Sequence, residues 1–275
     1  MTILDGKATS LKIIEEIKNE ITINNYKIGF AIIWVGNDEA SSIYVKNKIK
    51  KCEEVGIKTE LFHLADSINE EELLNLIDEL NERSDINGIL LQSPIPKHIN
   101  ITKCFNRIKP NKDIDGFSNI SVGNLCLGMP SLISCTPKGI MRLFKEYNID
   151  LEGKNVCLIN RSNIVGKPLF NLLIGENATV TMCHSKTKDI KKITRDADIV
   201  ITAVGIPGFI TADAIKEDTI VIDVGISRVN GKVVGDVVYE EVSQKASYIT
   251  PVPGGVGPMT IAMVLENILE TVKEK

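Results

Sequence analysis

Two residues four apart in "SSIYVKNKIKKCEEVG" (41–56) carry a phenol and an ammonium: Tyr44 and Lys48. On a helix this spacing brings both side chains to one face, a pair suited to polarising a proton transfer. Winding of about 100° per residue gathers Ser41, Val45, Lys48, Ile49, Cys52 and Val55 on one arc, with Tyr44 at its edge. Lys46 and Lys50 fall opposite, on a solvated face. A lysine bordering an apolar arc either snorkels to water or serves inside a cleft, where partial loss of water makes it a usable base. A Tyr-x-x-x-Lys pair alone is equally a surface contact, so its meaning depends on the other loops.

Four further stretches qualify. "LLQSPIP" (90–96) is an apolar run ending at Gln92, with prolines stiffening its exit. A parallel strand ending there directs the Gln92 amide to where ligands of open sheets bind, although the prolines could simply end an edge strand. "NKDIDGFSNISVGNL" (111–125) sets Asp113 and Asp115 two apart before Gly116. This is an ordinary turn signal, yet one such carboxylate can grip an N–C–N edge of the pterin or guanine kind by paired hydrogen bonds. "NVCLINRSNIVGKPLFNLL" (155–173) reads as strand, polar turn and helix, a phosphate-binding arrangement without the G-x-G-x-x-G pattern. Arg161 and Ser162 there favour NADP over NAD, as does Ser185, which stands where an NAD enzyme is expected to carry an acid facing the ribose. "ITPVPGGVGPMT" (249–260) packs prolines and glycines into a rigid loop with exposed backbone, the mark of a binding surface.

The elements needed to position these groups alternate from end to end. Strands are expected at 28–36, 57–64 and 87–93, then at 155–160, 178–184, 198–205 and 219–225, with helix-length amphipathic stretches between them. The pattern predicts an α/β protein of two domains with parallel sheets, the second half of dinucleotide-binding type. The expected division is 1–137 with the C-terminal helix 259–275, and 138–258. Thr136-Pro137 opens a helix at the join, because proline suits a first helical turn.

Composition narrows the function. The 275 residues are 43% hydrophobic and 25% charged with a formal net charge of −4. Without a basic stripe, nucleic acid is not the expected partner, and no apolar run approaches the roughly 20 residues that cross a bilayer. Asp5, Glu15 and Glu16 interrupt the start, where a signal core would be apolar, so a cytoplasmic enzyme is expected. Six scattered cysteines and three unpaired histidines argue against metal sites and disulfides.

Taken in order, "YVKNKIKKCEEVGI", "KDIDGF", "CTPKGI", "IVGKPL", "CHSKT" and "PVPGGVGPMT" resemble the bifunctional methylenetetrahydrofolate dehydrogenase/methenyltetrahydrofolate cyclohydrolase family nearly end to end. The resemblance implies a folate-binding N-terminal domain, an NADP-binding Rossmann domain, a cleft between them and a homodimer in one-carbon metabolism and purine biosynthesis. It assigns Lys48 as the catalytic lysine, Tyr44 as its partner against the folate ring, Gln92 as the group that tunes Lys48, and Asp115 as the holder of the pterin edge. Leu91 and Ser93 flank Gln92 on the substrate side. Pro253, Gly254, Gly255, Val256, Gly257, Pro258, Met259, Thr260 and Ile261 form a loop over the folate. Asn160, Arg161, Ser162, Ser185 and Ile226 face the cofactor. Two positions depart from the family's pattern: Asn160 stands where glycine precedes Arg-Ser, which bears on cofactor affinity, and Ser93 replaces an apolar folate contact. With no P-loop, a formate-activating synthetase activity is not expected. The competing readings are a shikimate-dehydrogenase-like oxidoreductase and a catalytically silent nucleotide-binding sensor, the latter favoured by Asn160 alone.

Overall fold

A computed structural model describes residues 1–273 of the chain, apart from the side chain of Ala40. Two compact units emerge: Met1–Leu11 with Thr136–Thr260, and Lys12–Cys135 with Ile261–Lys275. The first eleven residues therefore group with the nucleotide-type half, whereas the sequence reading placed them with the other. The reason is β1 (Thr2–Ile3), too short to read from pattern, which pairs in parallel with β11 (Tyr248–Ile249).

The unit built on Lys12–Cys135 contains most of α1 (Gly6–Ile23), then β2 (Gly29–Val35), α2 (Glu39–Val55), β3 (Lys58–Leu64), α3 (Glu70–Glu82), β4 (Gly88–Gln92), α4 (Ile101–Arg107) and α5 (Asn119–Cys126). Its parallel sheet has the order β3-β2-β4, and the central β2 is buried along its whole length, as the unbroken apolar run of its sequence requires. One face carries Ala31, Ile33, Val35, Ile89 and Leu91 against Leu73, Ile77 and Leu80 of α3. Helix α2 starts where the Asp38 carboxylate accepts the Ser41 N–H at 2.7 Å and stops at Gly56.

The other unit contains α6 (Cys135–Glu146), β5 (Asn155–Ile159), α7 (Gly166–Gly175), β6 (Thr179–Cys183), α8 (Ile190–Asp196), β7 (Ile199–Thr202), β8 (Ile220–Asp223), β9 (Ser227–Val229), β10 (Lys232–Val234), α9 (Tyr239–Val242) and the start of α10 (Val256–Lys273). Its six-stranded parallel sheet runs β1-β11-β8-β7-β5-β6. Ser93-Pro94 and Val252-Pro253 are cis. Among the described residues the six cysteines form no disulfide; five are buried and Cys126 is exposed. No described helix is long and apolar enough to cross a membrane.

Candidate active site

Helix α2 presents the arc that its spacing requires. Ser41, Val45, Cys52 and Val55 are buried, Lys48 and Ile49 are half-buried, and Tyr44 is exposed one turn before Lys48. The Lys48 amine donates to Gln92 Oε1 at 3.0 Å. Gln92 ends β4 and its own Nε2 donates to the Ser93 carbonyl at 2.7 Å, which fixes the amide so that its oxygen faces the lysine. Trp34, the single tryptophan, stands in register with both Gln92 and His63. Its ring stacks on His63 at 3.9 Å and 3°, and its buried N–H has no partner among the described residues.

The Asp113–Gly116 turn separates two carboxylates that look alike in sequence. Asp113 is buried and saturated: it accepts the Phe117 and Ser118 N–H groups at 3.2 and 2.8 Å and the Ser121 hydroxyl at 2.8 Å. Asp115 is half-buried and accepts no hydrogen bond from the described residues. Desolvation pushes its carboxyl up from 3.8 to about 6; the Lys48 charge pulls it down and the Asp113 charge pushes it up. An open carboxylate beside the oriented Lys48 amine suits a cationic or N–H-rich ring.

The turn is held from several sides. Lys112, itself buried, donates to the Leu80, Asn81 and Arg83 carbonyls at 3.0, 2.8 and 2.7 Å, capping the end of α3. Asn267 of α10 is fully buried and donates to the Ile114 and Ile133 carbonyls, both at 2.8 Å. Gly116 adopts φ +64°, and a Cβ there would stand 2.5 Å from the Leu132 carbonyl oxygen. Sequence reasoning missed Lys112 and Asn267 as supports; the available signal was one amide inside the apolar run "IAMVLENILETV". Asn267→Leu strands two carbonyl oxygens, so an unfolding loss of about 2–4 kcal/mol is expected, seen as a lowered thermal midpoint with a raised KM for folate substrate.

On the other unit, Asn160 organises the turn after β5. Its Oδ1 accepts the Ser162 N–H and hydroxyl at 2.8 and 2.7 Å and the Gly166 N–H at 3.0 Å, while Nδ2 donates to the Ala203 carbonyl at 2.6 Å. The Ser162 hydroxyl closes the turn, also accepting the Val165 N–H at 3.1 Å. Arg161, Ser185 and Ile226 are exposed. After β6 come His184, Ser185, Lys186, Thr187 and Lys188, hydroxyls and cations without an acid, a donor set that fits a 2′-phosphate.

Two substrate-side expectations change. The Leu91 side chain is buried in the core on the face opposite to Gln92, with Ile33 and Leu80, because neighbouring residues of a strand alternate. The expected loop over 253–261 is shorter, since α10 begins at Val256, and Met259 is fully buried against Gly139. Pro253, Gly254, Gly255, Val256, Gly257 and Pro258 line a small cavity that also includes Ile226, whereas Ser93 is exposed beyond β4.

Comparison with known proteins fits this layout. The catalytic-domain model of tetrahydrofolate dehydrogenase/cyclohydrolase matches residues 4–115, and the NAD(P)-binding-domain model matches residues 134–275. The chain belongs to the tetrahydrofolate dehydrogenase/cyclohydrolase family. The bifunctional protein FolD of Campylobacter hominis is 50% identical over 279 residues, covering 100% of this chain and 98% of the relative. The crystal structure of the bifunctional FolD from Campylobacter jejuni aligns with a TM-score of 0.98 at 50% identity, covering 100% of this chain and 99% of that one. The Trypanosoma brucei enzyme, complexed with NADP cofactor and inhibitor, gives 0.94 at 35% identity over 100% and 98% of the two chains. Likeness to the shikimate 5-dehydrogenase of Thermus thermophilus, at 13% identity, 90% and 98% coverage and a TM-score of 0.53, is one of fold alone. Within this tetrahydrofolate dehydrogenase/cyclohydrolase chain, the departures at Asn160 and Ser93 lie in loops, leaving the strands and helices that carry the site intact.

Proposed function

We propose that this chain oxidises 5,10-methylenetetrahydrofolate to 5,10-methenyltetrahydrofolate with NADP and hydrolyses that product to 10-formyltetrahydrofolate. The observation that carries the reading is the Lys48 amine on Gln92 Oε1 at 3.0 Å, in the same unit as the unbonded Asp115 carboxylate. Asp115 takes the amidine-like pterin edge by paired hydrogen bonds, and Tyr44 lies on the same helical face as Lys48 to meet the ring. NADP, when bound, supplies the hydride acceptor for the one-carbon bridge; Arg161 and Ser185 are the residues offered to its 2′-phosphate. In the hydrolysis, water adds to the methenyl carbon and gives one proton to the Lys48 amine; the adduct's remaining hydroxyl proton passes to the ring nitrogen as the bond from that nitrogen to the carbon breaks and the formyl C=O forms.

Gln92 holds the lysine amine where that exchange occurs, so orientation and proton transfer come from one residue pair. The reading also takes the protein as a cytoplasmic homodimer feeding purine biosynthesis. Its described cysteines, which form no disulfide, agree with a reducing compartment, and sedimentation velocity tests the dimer. One spectrophotometric assay separates the functional alternatives. NADPH formation from methylenetetrahydrofolate, followed by decay of the methenyl absorbance, supports the proposal. Turnover of shikimate alone supports the oxidoreductase alternative, and NADP binding without turnover the sensor. Quenching of Trp34 fluorescence on folate addition gives an independent binding signal, because its register partner is Gln92.

A further inference from the structure

Two carboxylates in the unit that carries the Asn160 turn have no part in the chemistry above, yet both are buried: Asp236 is 0% and Asp223 3% exposed. Asp236 follows the β9–β10 hairpin. Its Oδ2 accepts the Thr202 hydroxyl at 2.9 Å and the Val204 N–H at 2.7 Å, and its Oδ1 accepts the Ile206 N–H at 2.8 Å. It therefore gathers three donors from the exit of β7. Asp223, the last residue of β8, accepts the Gly225 and Asp236 N–H groups on Oδ1 at 2.9 and 3.0 Å, and the Val237 N–H on Oδ2 at 2.9 Å. The two side chains thus tie the exits of two neighbouring strands to a single segment, 236–237.

Space around the pair is closed by construction. A Cβ on Gly225 would stand 2.2 Å from Asp236 Oδ1, and one on Gly235 would stand 1.9 Å from Asp223 Oδ2. The backbone N–H of Asp223 donates to the Thr250 hydroxyl at 2.7 Å, immediately before the Pro/Gly loop. Asp223, Gly225, Ile226 and Val233 line a 120 Å³ cavity together with that loop. Buried carboxylates are costly, and burial pushes the Asp223 carboxyl up to about 6 against the pull of its backbone donors. Six donors on two side chains are what retain such groups in an interior.

The same network reaches the cofactor turn. Asn160 donates to the carbonyl of Ala203, whose next neighbour Val204 donates to Asp236, and Asp223 in turn holds Gly225 beside Ile226. Ligands of open parallel sheets sit against the carboxyl ends of the strands, which are the ends held here. We propose that Asp236, supported by Asp223, is a positioning residue that fixes the exits of β7 and β8 as the wall against which the nicotinamide cofactor binds. The proposal rests on the dehydrogenase reading and adds to it residues that touch neither substrate nor cofactor.

The test compares Asp236→Asn with the native enzyme. Asparagine keeps the shape but turns an NH2 group toward backbone donors, so one loop is released. Expected is a rise of about tenfold or more in the KM for NADP in the dehydrogenase assay. Hydrolysis of methenyl substrate without NADP should stay within about twofold, because that step needs no cofactor wall. An unchanged KM for NADP, or an equal fall in both activities with a lowered melting midpoint, overturns the proposal and leaves a purely structural role. Thr202→Val removes one hydroxyl donor at nearly constant volume and serves if Asp236→Asn does not fold. It should raise the KM for NADP by about two- to fivefold, and no rise overturns the proposal equally. Native enzyme inactive in both reactions would instead remove the dehydrogenase reading itself.

Discussion

Lys48→Met is expected to lower hydrolysis of 5,10-methenyltetrahydrofolate by about 10²–10⁴-fold, the range for loss of a positioned proton-transfer group. Methionine keeps the length and packing of the side chain and removes the amine that donates to Gln92. NADPH affinity should be unchanged, because Asn160, Arg161, Ser162 and Ser185 belong to the other compact unit. Hydride loss from the methylene bridge should fall less than hydrolysis, since it needs orientation more than proton exchange. Decay of the methenyl absorbance measures the first effect and NADPH fluorescence titration the second. Hydrolysis at the native rate would remove Lys48 from the mechanism.

Asp115→Asn carries the second large effect, and its sign is opposite for activity and stability. The Asp115 carboxyl sits at about 6, so below that pH it is protonated and loses an acceptor for the pterin edge. In the native enzyme kcat/KM for folate substrate should fall about tenfold per pH unit below 6. Asp115→Asn should flatten that limb and lower kcat/KM at pH 7.5 by about 10–100-fold, the weight of a charge-assisted hydrogen bond. Stability goes the other way. The folded-state value lies above the ordinary 3.8, so the folded protein binds more protons than the unfolded chain between 3.8 and about 6. Stability therefore falls as pH rises through that window, and the ionised carboxylate costs stability at neutral pH. Asp115→Asn should raise the thermal midpoint at pH 7.5, with the gain shrinking as pH falls toward 4; calorimetry at both pH values checks it. Because the Lys48 charge lowers Asp115, Lys48→Met should also move the activity limb of folate binding to higher pH.

The two predictions meet in one design feature: a carboxylate kept open at a cost in stability, on a turn secured by Lys112, Asn267 and Asp113. Functional groups in strained or desolvated positions are supported by neighbours that do no chemistry. Those neighbours are the part that pattern reading finds hardest. Asn267 is 151 positions after Gly116 in the chain, and nothing local says that its amide meets the Ile114 carbonyl. Asp223 and Asp236 likewise look like ordinary turn residues until β7 and β8 bring their loops together.

By itself the sequence determined the alternation of strand and helix, the inward face of α2 with Lys48 at its border, and Gln92 at the end of its strand. These follow from local periodicity, which residues three, four or two apart impose on their own segment. The order of motifs determined the family in the same direct way. Tertiary structure decided the rest. It saturated Asp113 and left Asp115 open, turned Leu91 into the core, started α10 at Val256, and used the Ser162 hydroxyl inside the Asn160 turn. It also drew the first strand into the six-stranded sheet beside β11. Each of those outcomes depends on which buried donor meets which acceptor across tens of residues, and chain proximity carries no record of that pairing.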